Sequence, residues 1–249
     1  MAETLTLGRI TLEDQLAAVE AAMPLAFGRF DPFTDTCGLV VVDAVNGFCT
    51  VGAGPLAPSA PNAQVTRMVD ETARLAQAFE GRHRPILAFL DTHEPGRPEP
   101  PYPPHCEKGT GQENLVPALR WLEHSAHATL VRKDCINGFV GAIGRDNRNR
   151  VVDWVNGNNL HAVLVVGICT DICVMDFVLT MLSARNHALM PTLRDVVVYE
   201  PGCATYDLTA ETAAALGLPA TATHPQAVAH HAGLYFMASR GARLVDTLG

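Results

Sequence analysis

A cysteine that opens a helix directly after a buried strand is placed for nucleophilic chemistry, and residues 167–174, Gly-Ile-Cys-Thr-Asp-Ile-Cys-Val, have that form. The run His161-Ala-Val-Leu-Val-Val166 before them is short, apolar and rich in β-branched residues, as a buried strand should be. After them, Val174, Phe177, Val178, Met181 and Leu182 fall on one face of a helix. Cys173 therefore belongs to the first helical turn, with Thr170 or Asp171 as its N-cap. Backbone N–H groups and the positive end of the helix dipole favour a thiolate there, so the Cys173 thiol is expected to be more acidic than a free cysteine. Taken alone, the same residue fits a small buried hydrophobe equally well.

What tips the balance is the company it keeps. Three further strands read from the sequence end in reactive groups: Gly38–Asp43 in Asp43, Pro85–Asp91 in Asp91 and His93, and Ala128–Lys133 in Lys133. In open α/β sheets, ligands bind outside the carboxyl ends of the strands. Asp43 beside Cys173 makes a base and a nucleophile, and Lys133 stabilises either the carboxylate or the nascent thiolate. Ten histidines invite a Cys-His dyad, but none stands at the end of the first or third strand, so Asp43, Lys133 and Cys173 are preferred.

A second kind of chemistry is written in Asp91-Thr-His93 and, after a segment with six prolines, Pro-Pro-His105-Cys106. Residues i and i+2 of an extended chain project to one side, so Asp91 and His93 can share a cation. The prolines make a rigid loop able to return His105 to the same strand end. A carboxylate and two imidazoles suit Zn²⁺, Mn²⁺ or Fe²⁺, with Glu99 or Glu94 as a further carboxylate and Cys106 as a less favoured soft ligand. Phe48 follows an Asn46-Gly47 turn near Asp43 and either lines the pocket or simply packs. The adjacent His230 and His231 point apart on a helix and make no metal pair.

The elements that must hold these residues alternate. A helix over Thr11–Leu25 precedes the first strand, and a helix carrying Val65, Met68, Val69, Leu75, Ala76 and Phe79 links the first two strands. A helix within Asn149–Asn158 leads to the strand before Cys173. Thr192–Tyr199 gives a fifth strand, Ala242–Val245 a sixth, and helices near Ala210–Leu216 and His224–Ser239 complete the chain. The expected architecture is α/β: a three-layer α/β/α sandwich around a mainly parallel sheet of about six strands, with right-handed crossovers. Residues 1–249 are expected to form one domain, with 1–37 as an N-terminal helical extension packed on it.

The 249 residues carry 18 Lys and Arg against 26 Asp and Glu, a net charge of −8, with no basic run, which argues against nucleic acid and anionic membrane as partners. No apolar stretch approaches the length of a membrane span, and Met1-Ala-Glu-Thr lacks the basic start of a signal peptide. Seven cysteines without framework spacing suit a reducing compartment, so a cytoplasmic location is expected. There is no Gly-x-Ser-x-Gly elbow, P-loop or dinucleotide fingerprint.

Asp43, Lys133 and the Gly167–Val174 segment resemble the isochorismatase-like cysteine hydrolases, and Asp91-x-His93 with Pro-Pro-His105 resembles their metal-containing nicotinamidase members. Val-Asn-Gly-Phe-Cys-Thr (45–50), Arg-Lys-Asp-Cys-Ile-Asn-Gly-Phe-Val-Gly (132–141), Leu-Ser-Ala-Arg-Asn-His (182–187) and Asp-Val-Val-Val-Tyr (195–199) are similar to the plant-type nicotinamidases. The likeness runs from about Gly38 to the C-terminal helix. It implies hydrolysis of nicotinamide to nicotinate and ammonia in NAD salvage, with nicotinamide and pyrazinamide-like analogues as small-molecule partners. It further implies Cys173 as the nucleophile that forms a thioester, Asp43 as base and acid, and Lys133 as their charge partner. The backbone N–H groups of Cys169 and Cys173 would form the oxyanion hole, with a cis peptide between Ile168 and Cys169. Asp91, His93 and His105 match the ligands of a divalent metal, Zn²⁺ foremost with Mn²⁺ or Fe²⁺ as alternatives, which binds the pyridine nitrogen. Glu99 is the fourth candidate ligand, and Phe48 matches an aromatic contact to the ring. The sequence leaves open a homo-oligomer, the same chemistry on another small amide such as maleamate or a carbamoyl or ureido compound, and a binding protein on an inactive hydrolase fold.

Overall fold

A computed structural model of the chain describes residues 11–97 and 99–249. Residues 1–10, which include the segment read against a signal peptide and the start of the expected extension, lie outside the described residues.

Helix α1 (Leu12–Ala22) is capped by Thr11, whose hydroxyl accepts from Asp14 N while the Asp14 side chain accepts from the Thr11 backbone. Then follow β1 (Gly28–Phe30), β2 (Cys37–Val42), the single turn α2 (Asn46–Cys49), α3 (Ala63–Glu80), β3 (Ile86–Asp91) and, beyond a 3₁₀ segment (Pro117–His124), β4 (Ala128–Lys133). The second half runs through α4 (Gly138–Gly141), α5 (Arg150–Gly157), β5 (Ala162–Ile168), a π-helical turn (Thr170–Val174), α6 (Met175–Asn186), β6 (Asp195–Ala204), α7 (Ala210–Ala215), α8 (Gln226–Ala238) and β7 (Arg243–Leu248). Asn62 and Asn149 cap α3 and α5 with their side chains, as their type at those positions favours.

The sheet has seven strands in the order β1-β7-β6-β5-β2-β3-β4, and every neighbouring pair is parallel. The expected sheet of about six strands lacks β1. That strand is three residues long, mostly exposed and without periodicity, so nothing in the sequence marks it, and it adds a strand to a segment read as helical.

Alternate residues of the buried strands face opposite layers. Val40 and Val42 of β2 join Leu87, Phe89, Val165 and Phe177 in one core; Leu39 and Val41 join Met68, Leu75, Phe79 and Leu164 in the other. Helices α5, α6 and α8 cover the first face, while α3 and the 3₁₀ segment cover the second. From β2 the chain winds outward to β3 and β4, returns to the other side of β2 with β5, and winds outward again to β6 and β7. The junction of β2 and β5 is therefore the topological switch point, where the carboxyl ends of two strands splay into a crevice.

Candidate active site

Asp43 leaves β2 in the left-handed region, with φ 51°, a conformation that a short acidic side chain tolerates better than most. Its N–H donates to Phe89 O and its carbonyl accepts from Val45 N, which turns the chain sharply at the crevice. Across the switch point, Gly167 on β5 has φ 133°, and a Cβ there would overlap the Val42 carbonyl oxygen. Only glycine lets the two strands approach this closely just before both deliver their reactive residues.

The Ile168–Cys169 peptide is cis, as the resemblance implied. Cys169 O then accepts from both Ile172 N and Val174 N, at 3.1 and 3.0 Å, which winds the turn carrying Cys173 around that carbonyl. The expected cap is corrected here. Cys169 occupies the N-cap position, and neither Thr170 nor Asp171 caps the turn with its side chain. Thr170 Oγ1 pairs instead with His230 Nδ1 at 2.8 Å, and Asp171 binds Thr205 and His224.

Asp91 and Lys133 are register partners on β3 and β4, so their side chains emerge side by side. Lys133 is 2% exposed, and its Nζ donates to Asp91 Oδ1 at 2.9 Å while lying 2.8 Å from Asp43 Oδ2. One buried ammonium thus spans two carboxylates on two strands. Asp43 is fully buried, and neither of its oxygens has a well-aligned hydrogen bond among the described residues. Burial raises the Asp43 carboxyl to about 6, with Lys133 opposing the rise and Asp91 adding to it.

Cys173 is buried, and burial pushes its thiol well above the ordinary cysteine range, against the pull of Lys133. The expectation of an acidic thiol is therefore corrected. Desolvation and the neighbouring carboxylates outweigh the helix terminus, so the resting sulfur holds its proton with a carboxylate acceptor nearby.

Asp91, His93, Glu99 and His105 bring one donor atom each to within 4.8 Å of one another. Nε2 of His93 and of His105 face Asp91 Oδ2 at 3.0 and 3.1 Å, and Glu99 Oε2 at 3.8 and 3.9 Å. Two neighbouring contacts orient this set. His105 Nδ1 donates to Pro103 O at 2.8 Å, leaving Nε2 to act as a ligand, and Glu99 Oε1 accepts from Ile136 N at 2.8 Å, leaving Oε2 to face the imidazoles. Two imidazoles and two carboxylates converging in a buried nest fit a divalent transition metal. Glu94 is exposed and pairs with Lys108, so it is not the extra carboxylate. Cys106 is buried with its sulfur against Gly47 and beside the Asp91 carboxylate, and it is not one of the four converging donors.

Cys173 of the first set and Asp91, Glu99 and His105 of the second line one cavity of about 40 Å³, together with Ile168 and Cys169. Phe48 lines it as well, its ring 5.7 Å from that of His105. The rest of the wall is apolar or aromatic: Leu56, Tyr102, Ile136, Ile172 and Tyr206. Sequence reasoning did not single these residues out: Ile172 belongs to the π-helical turn, and the others sit in loops whose path only the fold defines. Tyr102 alone carried a signal, lying inside the proline-rich loop three residues before His105. The cavity is small, and most of its lining favours a flat apolar ligand with a few polar anchor points.

A parallel sheet with a strand-end crevice at its switch point defines a doubly wound α/β protein of three layers. The chain belongs to the isochorismatase domain family, whose model matches residues 37–247. It is 50% identical over 241 residues to nicotinamidase 1 of Arabidopsis thaliana, covering 96% of both chains. Among solved structures, it resembles the nicotinamidase of Bacillus subtilis with a TM-score of 0.62 at 20% identity, over 85% of this chain and all of that one. It also resembles the pyrazinamidase of Pyrococcus horikoshii in complex with zinc, with a TM-score of 0.59 at 18% identity, over 85% and 99% of the two chains.

Proposed function

We propose that this chain is a nicotinamidase that hydrolyses nicotinamide to nicotinate and ammonia, feeding NAD salvage. The observation that carries the reading is one cavity lined by Cys173 and by Asp91, Glu99 and His105 of the four-donor group, with the buried Lys133 bridging Asp43 and Asp91. The likeness to a plant nicotinamidase along nearly the whole chain supports it. An amide on an aromatic ring with a basic nitrogen needs what each side offers: a nucleophile for the carbonyl and a Lewis acid for the ring.

In this reading Cys173 passes its proton to Asp43 as the sulfur attacks the amide carbon. The ammonium of Lys133 offsets the negative charge shared by thiolate and carboxylates. The developing oxyanion is met by the N–H groups of Cys169 and Cys173 at the mouth of the π-helical turn. Asp43 then protonates the departing nitrogen, ammonia leaves, and a thioester remains on Cys173. Water attacks that thioester as Asp43 takes its proton, and nicotinate departs as the thiol is restored. A divalent ion held by Asp91, His93, Glu99 and His105, with Zn²⁺ foremost for this donor set, would bind the pyridine nitrogen and so orient the ring. Phe48 packs against the ring from the side of His105.

Residues 1–249 acting as one domain and a cytoplasmic location complete the reading; the latter is supported by seven cysteines, none in a disulfide. No helix among the described residues is long and apolar enough to cross a membrane. The test is ammonia release from nicotinamide by the purified, metal-supplied protein. Turnover that vanishes in Cys173→Ala supports the reading, whereas no turnover, or preferred turnover of maleamate, overturns it.

A further inference from the structure

Asp171 lies two residues before the candidate nucleophile, yet its carboxylate turns away from the reacting groups. Oδ1 accepts from Thr205 Oγ1 at 2.6 Å and Oδ2 from His224 Nε2 at 2.8 Å. The other ring nitrogen of His224 donates to Tyr206 O at 2.9 Å. Both nitrogens of His224 thus face acceptors only, which suits a charged imidazolium paired with Asp171. The imidazole lies flat on the Tyr206 ring, with centroids 3.8 Å apart and an angle of 13°. What remains of the tyrosine lines the cavity.

The loop that bears Tyr206 is clamped from other directions as well. Thr205 N donates to Gln64 Oε1, Gln226 Nε2 donates to Thr205 O, and Leu208 and His224 exchange backbone hydrogen bonds. These contacts would be surplus for a surface loop that did nothing. Their shared outcome is one tyrosine ring held still against the cavity, reached through residues that touch neither the cysteine–aspartate pair nor the metal nest.

We infer that Asp171 and His224 are positioning residues that hold Tyr206 as a specificity wall for planar aromatic carboxamides. The inference rests on the nicotinamidase reading and deepens it, by assigning the choice between aromatic and aliphatic amides to this wall. A fixed ring face or edge rewards a flat substrate ring and gives little to an open-chain amide. It should act chiefly on substrate binding, because Asp171 and His224 bond to Thr205 and Tyr206 and not to Asp43, Lys133 or Cys173, and the loop meets the Cys169 thiol rather than the nucleophile.

The experiment compares KM and kcat for nicotinamide and for maleamate across Tyr206→Ala, Tyr206→Phe, His224→Ala and Asp171→Asn. Binding of nicotinamide to Cys173→Ala in each background is measured by calorimetry. The expected result is a nicotinamide KM raised about fivefold to tenfold in Tyr206→Ala, with kcat changed less than about twofold and the maleamate KM unmoved. Tyr206→Phe should retain wild-type values. His224→Ala should move KM in the same direction, and adding it to Tyr206→Ala should have little further effect. An unchanged ratio of the two substrates' kcat/KM in Tyr206→Ala overturns the inference, as does a His224→Ala protein that loses thermal stability while keeping its nicotinamide KM. Should the wild type hydrolyse neither amide, the nicotinamidase reading falls by itself. The wall is then judged by calorimetry alone: binding weakened by Tyr206→Ala sustains it, and binding indifferent to Tyr206 overturns it.

Discussion

Lys133 donates to Asp91 Oδ1 at 2.9 Å, on a carboxylate whose other oxygen faces His93 and His105. The same ammonium stands 2.8 Å from Asp43. It is the element through which the metal nest and the thiol–carboxylate pair share one electrostatic environment. Removing it leaves two buried carboxylates facing each other without a counter-charge. Lys133→Met should therefore cost about 3–5 kcal/mol of stability, the usual penalty for breaking one side of a buried ion pair. Activity should fall by at least about a thousandfold, comparable with losing a key electrostatic group. Chemical denaturation and steady-state kinetics on the same preparation check both.

In the proposed mechanism, Asp43 would set the acid side of the pH profile. Its carboxyl is raised to about 6 by burial, and as a base it works only when ionised. Below about pH 6, kcat/KM should drop roughly tenfold per unit and level off above it. Asp43→Asn should abolish turnover while leaving a folded protein, since the amide matches the carboxylate in shape and Lys133 keeps Asp91 as its counter-charge. A profile flat from pH 5 to 8 would contradict the assignment.

Much of this arrangement could be read without coordinates. Strand ends are marked by apolar runs that stop at a charged residue, so Asp43, Asp91 and Lys133 stood out at once, and the helix face after Cys173 fixed the fourth corner. What escaped were features made by register and by loop paths. That Lys133 neighbours Asp91 depends on how β4 pairs with β3, which no local pattern encodes. The thiol's acidity was misjudged because the helix terminus is visible in sequence, whereas desolvation by a closed cavity is not. β1 is too short to show periodicity, and Asp171 fits a cap in sequence, as Thr170 does, because its partners, Thr205 and His224, lie 34 and 53 residues away.

The metal nest should be separable from the thiol chemistry. His93→Ala and His105→Ala should lose bound metal, read by elemental analysis, with affinity weakened by on the order of 100-fold or more. Cys173→Ala should keep the metal in full. Chelation of the wild type should raise the KM for nicotinamide, and re-addition of Zn²⁺ should restore it.

Gly167 gives the sharpest test of the backbone. Gly167→Ala places a Cβ on the Val42 carbonyl in a positive-φ conformation, so the junction of β2 and β5 must open. A loss of more than about 3 kcal/mol, or failure to fold, is expected, against less than about 1 kcal/mol for Gly157→Ala, where a Cβ meets nothing within 4 Å.

The Asp171–His224 pair should leave its own mark on stability against pH. His224 is raised above 6.5 by its bond to Asp171 against the cost of burial, so its share is complete below 6.5 and lost as pH climbs through the raised value. Asp171 is held below 3.8, chiefly by His224 against burial, so its share is present above 3.8 and lost as pH falls through the lowered value. The pair should contribute most between about pH 4 and 6.5. The melting-temperature difference between wild type and Asp171→Asn should peak in that window.

The central claim is that Cys173 carries the acyl group between the two halves of the reaction. Rapid acid quench during turnover of nicotinamide, followed by mass spectrometry of the peptide containing Cys173, tests it directly. The account predicts a nicotinoyl thioester on Cys173, absent in Cys173→Ala and absent without substrate. Steady release of ammonia with no acyl group on that peptide, or with full activity in Cys173→Ala, would contradict it.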